Sequence, residues 1–249
     1  MRCLIDNSVI SYGLFARTIS VPISGFSNRL LLIEAKPEKR QNEQWLKSQI
    51  EALPTIARLA KDEIIKPFSY SELTHEAMRR PGSFPPSLFG DVFRSTNIID
   101  MPSAIERSKI FSLGYEQLRD SSGLNNYVGF LINGGASRLL RNEYIKNRLT
   151  EFEIESINQI SDLKNICSGL SKIQYSDAFH FWSAIRNKMD YFVLIDKKFV
   201  NAVTANGSAR FPCTLIYPSD LLSILEIRER DPLPYLYGRR YLLNGRLYE

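Results

Sequence analysis

Cysteine and histidine are scarce in this sequence, and their placement excludes the usual zinc sites. The three cysteines, Cys3, Cys167 and Cys213, lie far apart, and no C-x-x-C pair occurs. The two histidines, His75 and His180, do not complete a zinc-ligand spacing. This cysteine usage is typical of a protein that works in a reducing compartment.

Long hydrophobic runs are also missing. No apolar run approaches the roughly 20 residues that a membrane-spanning helix requires. The first residues run directly into Asp6 and lack the basic start, apolar region and cleavage site of a signal peptide. We therefore expect a cytoplasmic protein that does not enter the membrane.

The composition is that of a folded protein with a mild excess of positive charge. The 249 residues are 44% hydrophobic and 11% aromatic, which supplies ample side chains for a core. The length fits one large α/β domain, or a compact catalytic domain with an insertion. The net charge of +5 slightly favours a polyanionic partner.

Two apolar segments each end in an aspartate. Cys3-Leu4-Ile5 precedes Asp6, and the almost entirely apolar run from Tyr191 to Ile195 precedes Asp196. The second run is typical of a central parallel strand. Because the carboxyl ends of parallel strands meet at the crevice where ligands bind, we expect Asp6 and Asp196 to lie close together there.

Two further acids lie on predicted helices. Apolar residues from Ala178 to Met189 form the buried face of a helix that carries Asp177 in its first turn. Glu72 belongs to a predicted helix over Ser71 to Met78. Carboxylates gathered at one edge repel one another unless cations neutralise them, and hard oxygen ligands favour Mg²⁺ or Mn²⁺. Such a metal site would support hydrolysis of a phosphodiester.

The segments that carry these acids resemble those of the PIN domain ribonucleases. The matching segments are Leu4-Ile5-Asp6-Asn7-Ser8, Ser71-Glu72-Leu73, Ser176-Asp177-Ala178-Phe179-His180, and Asp190 to Phe199. The resemblance covers the N-terminal segment, residues 64 to 78 and residues 175 to 225. It implies a three-layer α/β/α fold with a central, mainly parallel sheet, a Mg²⁺ or Mn²⁺ site, and single-stranded RNA as substrate.

The same resemblance assigns roles to individual residues. By that match, the catalytic metal ligands are Asp6, Glu72, Asp177 and Asp196. Ser8 matches the small polar residue that supports the first aspartate, and Glu76, one helical turn from Glu72, is the alternative second acid. Apart from the resemblance, Lys197 and Lys198 follow Asp196 in the sequence and would be placed to meet RNA phosphates, although a solvated surface is the default role of such lysines.

Each acid also has a simpler interpretation. Asp177 is of the type that often caps a helix N-terminus, and Asp6 and Asp196 could merely begin turns after strands. Glu72 alone would more often be a solvated surface charge. His180 is taken as structural and left outside the site. It is the combination of Asp6, Asp177 and Asp196 that favours a functional cluster.

Residues 1–225 are predicted to form the nuclease domain, with a helical and irregular insertion at about 81–140. Residues 226–249 form a basic, aromatic tail in which Asn244-Gly245 predicts a hairpin. The arginines and tyrosines of this tail would suit RNA, but a hairpin packed on protein is the more common use of such a segment. The insertion and Leu194, which stands where the family usually has a hydroxyl residue, are departures from the family pattern.

The sequence therefore predicts a metal-dependent endoribonuclease of a toxin, defence or RNA-processing type. An alternative is a catalytically silent PIN-like module that binds RNA or protein. A haloacid-dehalogenase-type phosphotransferase is remote, because position 8 is serine and the D-x-D motif is missing. An antitoxin-like partner and a homo-oligomer are both left open by the sequence.

Overall fold

The computed structural model describes residues 1–23, 29–38, 43–77, 91–111, 121–205 and 211–248. These residues form two compact units. The first unit contains Met1–Asn7, Lys66–Arg80 and Ile98–Ile216, and the second contains Ser8–Ile65, Pro81–Asn97 and Tyr217–Glu249, apart from the undescribed residues within those ranges. The chain thus leaves the first unit and returns to it more than once.

Strands occur in both units. In chain order they are β1 (Arg2–Ile5), β2 (Ala16–Pro22), β3 (Arg29–Ala35), β4 (Lys66–Ser69), β5 (Ile99–Asp100), β6 (Tyr191–Val193), β7 (Thr214–Ile216), β8 (Arg240–Leu242) and β9 (Leu247–Tyr248).

Helices connect and cover these strands. The α-helices are α1 (Asn7–Gly13), α2 (Gln44–Lys61), α3 (Ser71–Ala77), α4 (Arg107–Ile110), α5 (Ser121–Phe130), α6 (Ala136–Arg141), α7 (Glu143–Lys146), α8 (Glu151–Asn158), α9 (Ile160–Cys167), α10 (Tyr175–Arg186), α11 (Lys197–Ala205) and α12 (Pro218–Ile224). A π-helical turn at Leu131–Gly135 joins α5 to α6, and a 3₁₀ turn at Lys172–Gln174 precedes α10.

The first unit is an α/β structure built on a parallel sheet in the order β5-β4-β1-β6-β7. The central strand β1 is short but almost fully buried, with Cys3 and Leu4 inaccessible to solvent. Strands covered on both faces are usually apolar throughout, which explains why the β1 and β6 segments are apolar without alternation. The predicted central parallel sheet is therefore confirmed.

Helix α10 is the most buried helix of this unit. Its large apolar side chains Phe179, Phe181 and Trp182 are inaccessible to solvent and pack in the main core. Each aromatic side chain buried in this way contributes about 2–3 kcal/mol of hydrophobic stabilisation, so α10 is firmly anchored. This anchoring fixes the position of its first turn.

The second unit contains an antiparallel sheet in the order β2-β3-β8-β9 and a pair of helices, α2 and α12. Helix α2 buries an apolar face and contains Pro54. The β2–β3 hairpin was not predicted. The predicted C-terminal hairpin is present as β8 and β9, with Gly245 at a positive φ of 83° in its turn.

The C-terminal hairpin is part of the second unit's sheet. Strand β8 pairs with β3, and Arg240 forms an ion pair with Glu34 on that strand (3.0 Å). Tyr241 is buried beside Tyr235, with ring centroids 4.8 Å apart. The hairpin packed on protein, which was the commoner alternative for the tail, is therefore the arrangement observed.

Much of the predicted insertion lies outside the described residues, including 81–90 and 112–120, as does Met78. The described residues of that region include α4, α5 and the π-helical turn, where Gly134 has a φ of 90°. Among the described residues, no helix is long and apolar enough to cross a membrane.

Candidate active site at the carboxyl end of the parallel sheet

The order of the strands brings separate acidic segments to one edge of the first unit's sheet. Strands β1 and β6 are neighbours, with Ile5 in register with Val193. Asp6 directly follows β1, and its N–H donates to the Val193 carbonyl (3.0 Å). Asp196 follows β6 after two further buried residues. The strand order reverses between β1 and β6, which is where open parallel sheets bind ligands.

Asp177 enters this edge from helix α10. The helix begins at Tyr175, so Asp177 lies within the first turn and is not the capping residue. The backbone N–H of Ser176 donates to the side-chain oxygen of Asn125 on α5 (2.7 Å). This hydrogen bond satisfies one of the open donors at the start of α10 and fixes the turn that carries Asp177.

The electrostatics of Asp177 show that the other acids lie nearby. Burial raises the pKa of Asp177, and the negative charges of Asp6, Glu76 and Asp196 raise it further, whereas His180 lowers it; the result is a pKa of about 7. Desolvation and like charges both disfavour the ionised carboxylate. A carboxyl group with a pKa in this range is typical of functional sites.

Glu76 is the acid of α3 that contacts this cluster. Its Oε2 atom accepts a hydrogen bond from Asn7 Nδ2 (3.1 Å) and lies 3.5 Å from His180 Nε2. Asn7 also donates to the Leu73 carbonyl (2.7 Å), which ties the segment after β1 to α3. The Glu76 side chain keeps 23% of its surface exposed, so a ligand can reach it.

Glu72 has a different environment. Its two carboxylate oxygens accept hydrogen bonds from Arg107 Nε (3.1 Å) and Nη2 (2.8 Å). The two side chains are only 3% and 2% exposed. In a buried, bidentate pair of this kind, the guanidinium occupies both oxygens of the carboxylate. The structure therefore favours Glu76 over Glu72 as the second acid of the site, with Glu72 anchoring α4.

Asp196 caps the start of helix α11, a role that was considered above for Asp177. Its Oδ1 accepts hydrogen bonds from the backbone N–H groups of Lys198 (2.8 Å) and Phe199 (2.9 Å) at the start of α11. Within the described parts of the chain, Oδ2 accepts no hydrogen bond. Capping with one oxygen orients the carboxylate and leaves the second oxygen for a ligand.

A buried histidine and tyrosine lie behind the acids. His180 and Tyr70 are inaccessible to solvent, and the Tyr70 hydroxyl lies 2.6 Å from His180 Nδ1. Burial raises the pKa of Tyr70 well above its ordinary value, so the hydroxyl keeps its proton. Burial alone would lower the pKa of His180, but the Glu76 carboxylate 3.5 Å away and the charges of Asp6 and Asp177 raise it overall.

The remaining predicted residues lie around the acids in sequence. Lys197 and Lys198 are exposed in the first turn of α11, immediately after Asp196. Ser8 is half-buried in α1 and belongs to the second unit. The two lysines place positive charge next to the acid that caps α11.

The described residues contain no group of three or more carboxylate, histidine or cysteine side chains arranged to hold a metal ion. The chemistry of the donor set nevertheless fits a hard divalent cation, because Asp6, Glu76, Asp177 and Asp196 supply only oxygen ligands, and the charges of the other three acids raise the pKa of Asp177.

Sequence reasoning missed three residues that organise the site. Arg107 has no local signal, because its partner Glu72 is 35 residues away. In the sequence, Tyr70 cannot be distinguished from an ordinary aromatic residue of the core. His180 had a usable signal, since it follows Asp177 by three positions and so lies on the same face of α10.

No family model, no curated protein and no solved structure matches this chain.

Proposed function

We propose that the first unit is a PIN-like, metal-dependent endoribonuclease that hydrolyses phosphodiester bonds in single-stranded RNA. Its catalytic acids would be Asp6, Glu76, Asp177 and Asp196. The proposal includes a three-layer α/β/α arrangement around the sheet in which β1 is central.

The observation that carries this proposal is the convergence of four carboxylates from four separate segments. Asp6 follows β1, Glu76 comes from α3, Asp177 from α10, and Asp196 precedes α11. Burial of Asp177, together with the charges of Asp6, Glu76 and Asp196, raises the pKa of Asp177 to about 7. A cluster that is destabilised when it is fully ionised is typical of functional sites.

A cation would compensate this charge. Mg²⁺ or Mn²⁺ bound to such oxygens polarises a phosphodiester and activates water at neutral pH. The side chains of this chain would supply the ligands: Asp6 at the end of the central strand, Asp177 and Glu76 from the flanking helices, and the second oxygen of Asp196. Tight hydrogen bonding of Asp196 Oδ1 to α11 would keep that carboxylate in one orientation.

The charge around the acids favours nucleic acid as substrate. Lys197 and Lys198 are exposed beside Asp196 and would bind backbone phosphates, which attract lysine without regard to base sequence. The net charge of +5 acts in the same direction.

Cleavage of end-labelled single-stranded RNA tests the proposal. We expect purified protein to cut the RNA in Mn²⁺ or Mg²⁺ and to lose this activity in EDTA. Asp6→Asn, Glu76→Gln and Asp177→Asn should each reduce cleavage by at least 100-fold, a typical loss when a group that acts on the transition state is removed. Calorimetry should show Mn²⁺ binding that Asp6→Asn and Asp177→Asn abolish.

Glu155→Gln is the matched control, because Glu155 is an exposed carboxylate on α8 of the same unit. It should cut RNA at the rate of the parent protein. Equal cleavage by the parent, Asp6→Asn and Asp177→Asn proteins would indicate a contaminating nuclease and refute the assignment.

A catalytically silent module that binds RNA or protein is the second candidate. It is favoured by the absence, among the described residues, of three ligands already arranged around one position. In that case the parent protein would bind neither Mn²⁺ nor Mg²⁺, would not cleave RNA, and would retain RNA binding after Asp6→Asn.

A further inference from the structure

Glu76 lies close to a buried histidine, His180, on helix α10. His180 Nε2 is fully buried, and among the described residues it has no hydrogen-bond partner of ordinary length. The Glu76 Oε2 atom lies 3.5 Å away. A buried ring nitrogen without a partner costs free energy, so this atom is expected to have a partner in the working site.

We propose that His180 is a positioning residue that orients the Glu76 carboxylate toward the acid cluster, and that Tyr70 fixes the imidazole for this task. This inference rests on the proposed function, since it concerns how that site holds one of its acids. His180 does not touch substrate in this proposal; it acts through Glu76.

The hydrogen bond at Nδ1 determines whether Nε2, the ring nitrogen that faces Glu76, carries a proton. The Tyr70 hydroxyl lies 2.6 Å from Nδ1. In a neutral imidazole, a hydroxyl that donates to Nδ1 leaves the ring proton on Nε2. In an imidazolium, both nitrogens carry protons and the hydroxyl accepts. In both of these states an N–H of His180 points at the Glu76 carboxylate. We assign them rather than the remaining neutral tautomer, in which Nδ1–H donates to Tyr70, because that tautomer would set the unprotonated Nε2 against the Glu76 carboxylate.

Two donors then converge on a single oxygen of Glu76. Asn7 Nδ2 donates to Oε2 at 3.1 Å, and His180 Nε2 lies 3.5 Å from the same atom. A movement of about 0.6 Å would bring the histidine contact to an ordinary hydrogen-bond length. Contacts at catalytic sites are often long before ligands bind and shorten afterwards. Donors that orient a metal-binding carboxylate commonly change metal affinity by about 10- to 100-fold.

The test exploits the different reach of two amides. In His180→Gln, the side-chain nitrogen occupies about the position of Nε2 and can still donate to Glu76. In His180→Asn, the shorter side chain reaches only the position of Nδ1, beside Tyr70. Both variants remove the imidazole, so a purely structural role would affect them similarly.

We would measure Mn²⁺ affinity by electron paramagnetic resonance for the full-length parent and variant proteins, with melting temperatures by circular dichroism. His180→Asn should bind Mn²⁺ at least 10-fold more weakly than the parent, and His180→Gln within about 3-fold of it. Equal affinities for the two variants would overturn the positioning role. A parent protein that binds no Mn²⁺ would instead refute the proposed function on which it rests.

A second measurement does not require metal or a His180 variant. Nitrogen-15 NMR of the imidazole in metal-free protein should show a proton on Nε2, with a signal that shifts in Glu76→Gln. Tyr70→Phe should allow the proton to distribute between both nitrogens, because it removes the hydroxyl that fixes Nδ1. A neutral ring protonated only at Nδ1 in the parent protein would overturn the inference.

Discussion

Glu72 and Glu76 stand one turn apart on α3, and the structure predicts effects of different size on stability for the same substitution at each. Glu72 is 3% exposed and paired through two hydrogen bonds with Arg107, whereas Glu76 is 23% exposed beside other acids. Changing Glu72 to Gln removes the charge that compensates a buried guanidinium. Changing Glu76 to Gln removes one charge from a repelling cluster.

The magnitude follows from burial. Breaking a buried ion pair by altering one partner typically costs about 3–5 kcal/mol. A glutamine at position 72 keeps one acceptor for Arg107, so we expect the lower end, about 3 kcal/mol. For a chain of this length that loss corresponds to a fall in melting temperature of about 6–12 °C. Glu76→Gln should change the free energy of unfolding by less than about 1 kcal/mol.

Urea unfolding and thermal melting of metal-free protein at pH 7 would measure the stability of both variants, and each variant serves as the control for the other. A third protein, Glu72→Leu combined with Arg107→Met, should be more stable than Glu72→Gln, because it leaves no uncompensated charge. The reasoning fails if Glu72→Gln melts within about 2 °C of the parent protein, or if Glu76→Gln is the less stable of the pair.

Two further predictions concern the other acids. Asp177 has a folded-state pKa of about 7 against an ordinary value near 3.8, so its contribution to stability falls as pH rises from about 4 to 7. Three pKa units at about 1.4 kcal/mol each give an upper bound on this effect of Asp177 on stability. Solvent screening of the half-buried carboxyl reduces the effect, so Asp177→Asn should stabilise metal-free protein by about 2 kcal/mol at pH 8 and by little at pH 4. Equal effects at both pH values would contradict this prediction. At position 196, Asp196→Ala should lose about 1 kcal/mol with the cap on α11, while Asp196→Asn keeps the cap and loses Mn²⁺ affinity. Comparable melting temperatures for these two variants would exclude the capping role.

Local patterns predicted the elements on which the site is built. The apolar runs at β1 and β6 indicate buried parallel strands, and the apolar face of α10 places Asp177 in its first turn. Each of these signals lies within a few consecutive residues, where hydrophobic periodicity is informative. Because Asp6 directly follows β1 and Asp196 comes shortly after β6, the topology predicts that both lie at the same edge of the sheet.

Long-range pairing limited the remaining predictions. The β2–β3 hairpin belongs to a sheet completed by β8, more than 200 residues later in the chain, and its β2 strand is largely exposed. A strand with little burial lacks the apolar run that would identify it. The C-terminal hairpin was predicted from Asn244-Gly245, but its pairing with β3 has no local signature.

The choice between Glu72 and Glu76 shows why site residues are harder to predict than strands. Residues four apart on a helix occupy the same face, so periodicity cannot distinguish them. What separates them is their partners: Arg107 for Glu72, and Asn7 with His180 for Glu76. A basic side chain from one distant segment converts the first acid into a structural anchor, whereas the second lies beside the negative charges that raise the pKa of Asp177. Function at this edge of the sheet therefore depends on which acid is held in a buried ion pair and which stays accessible to a ligand.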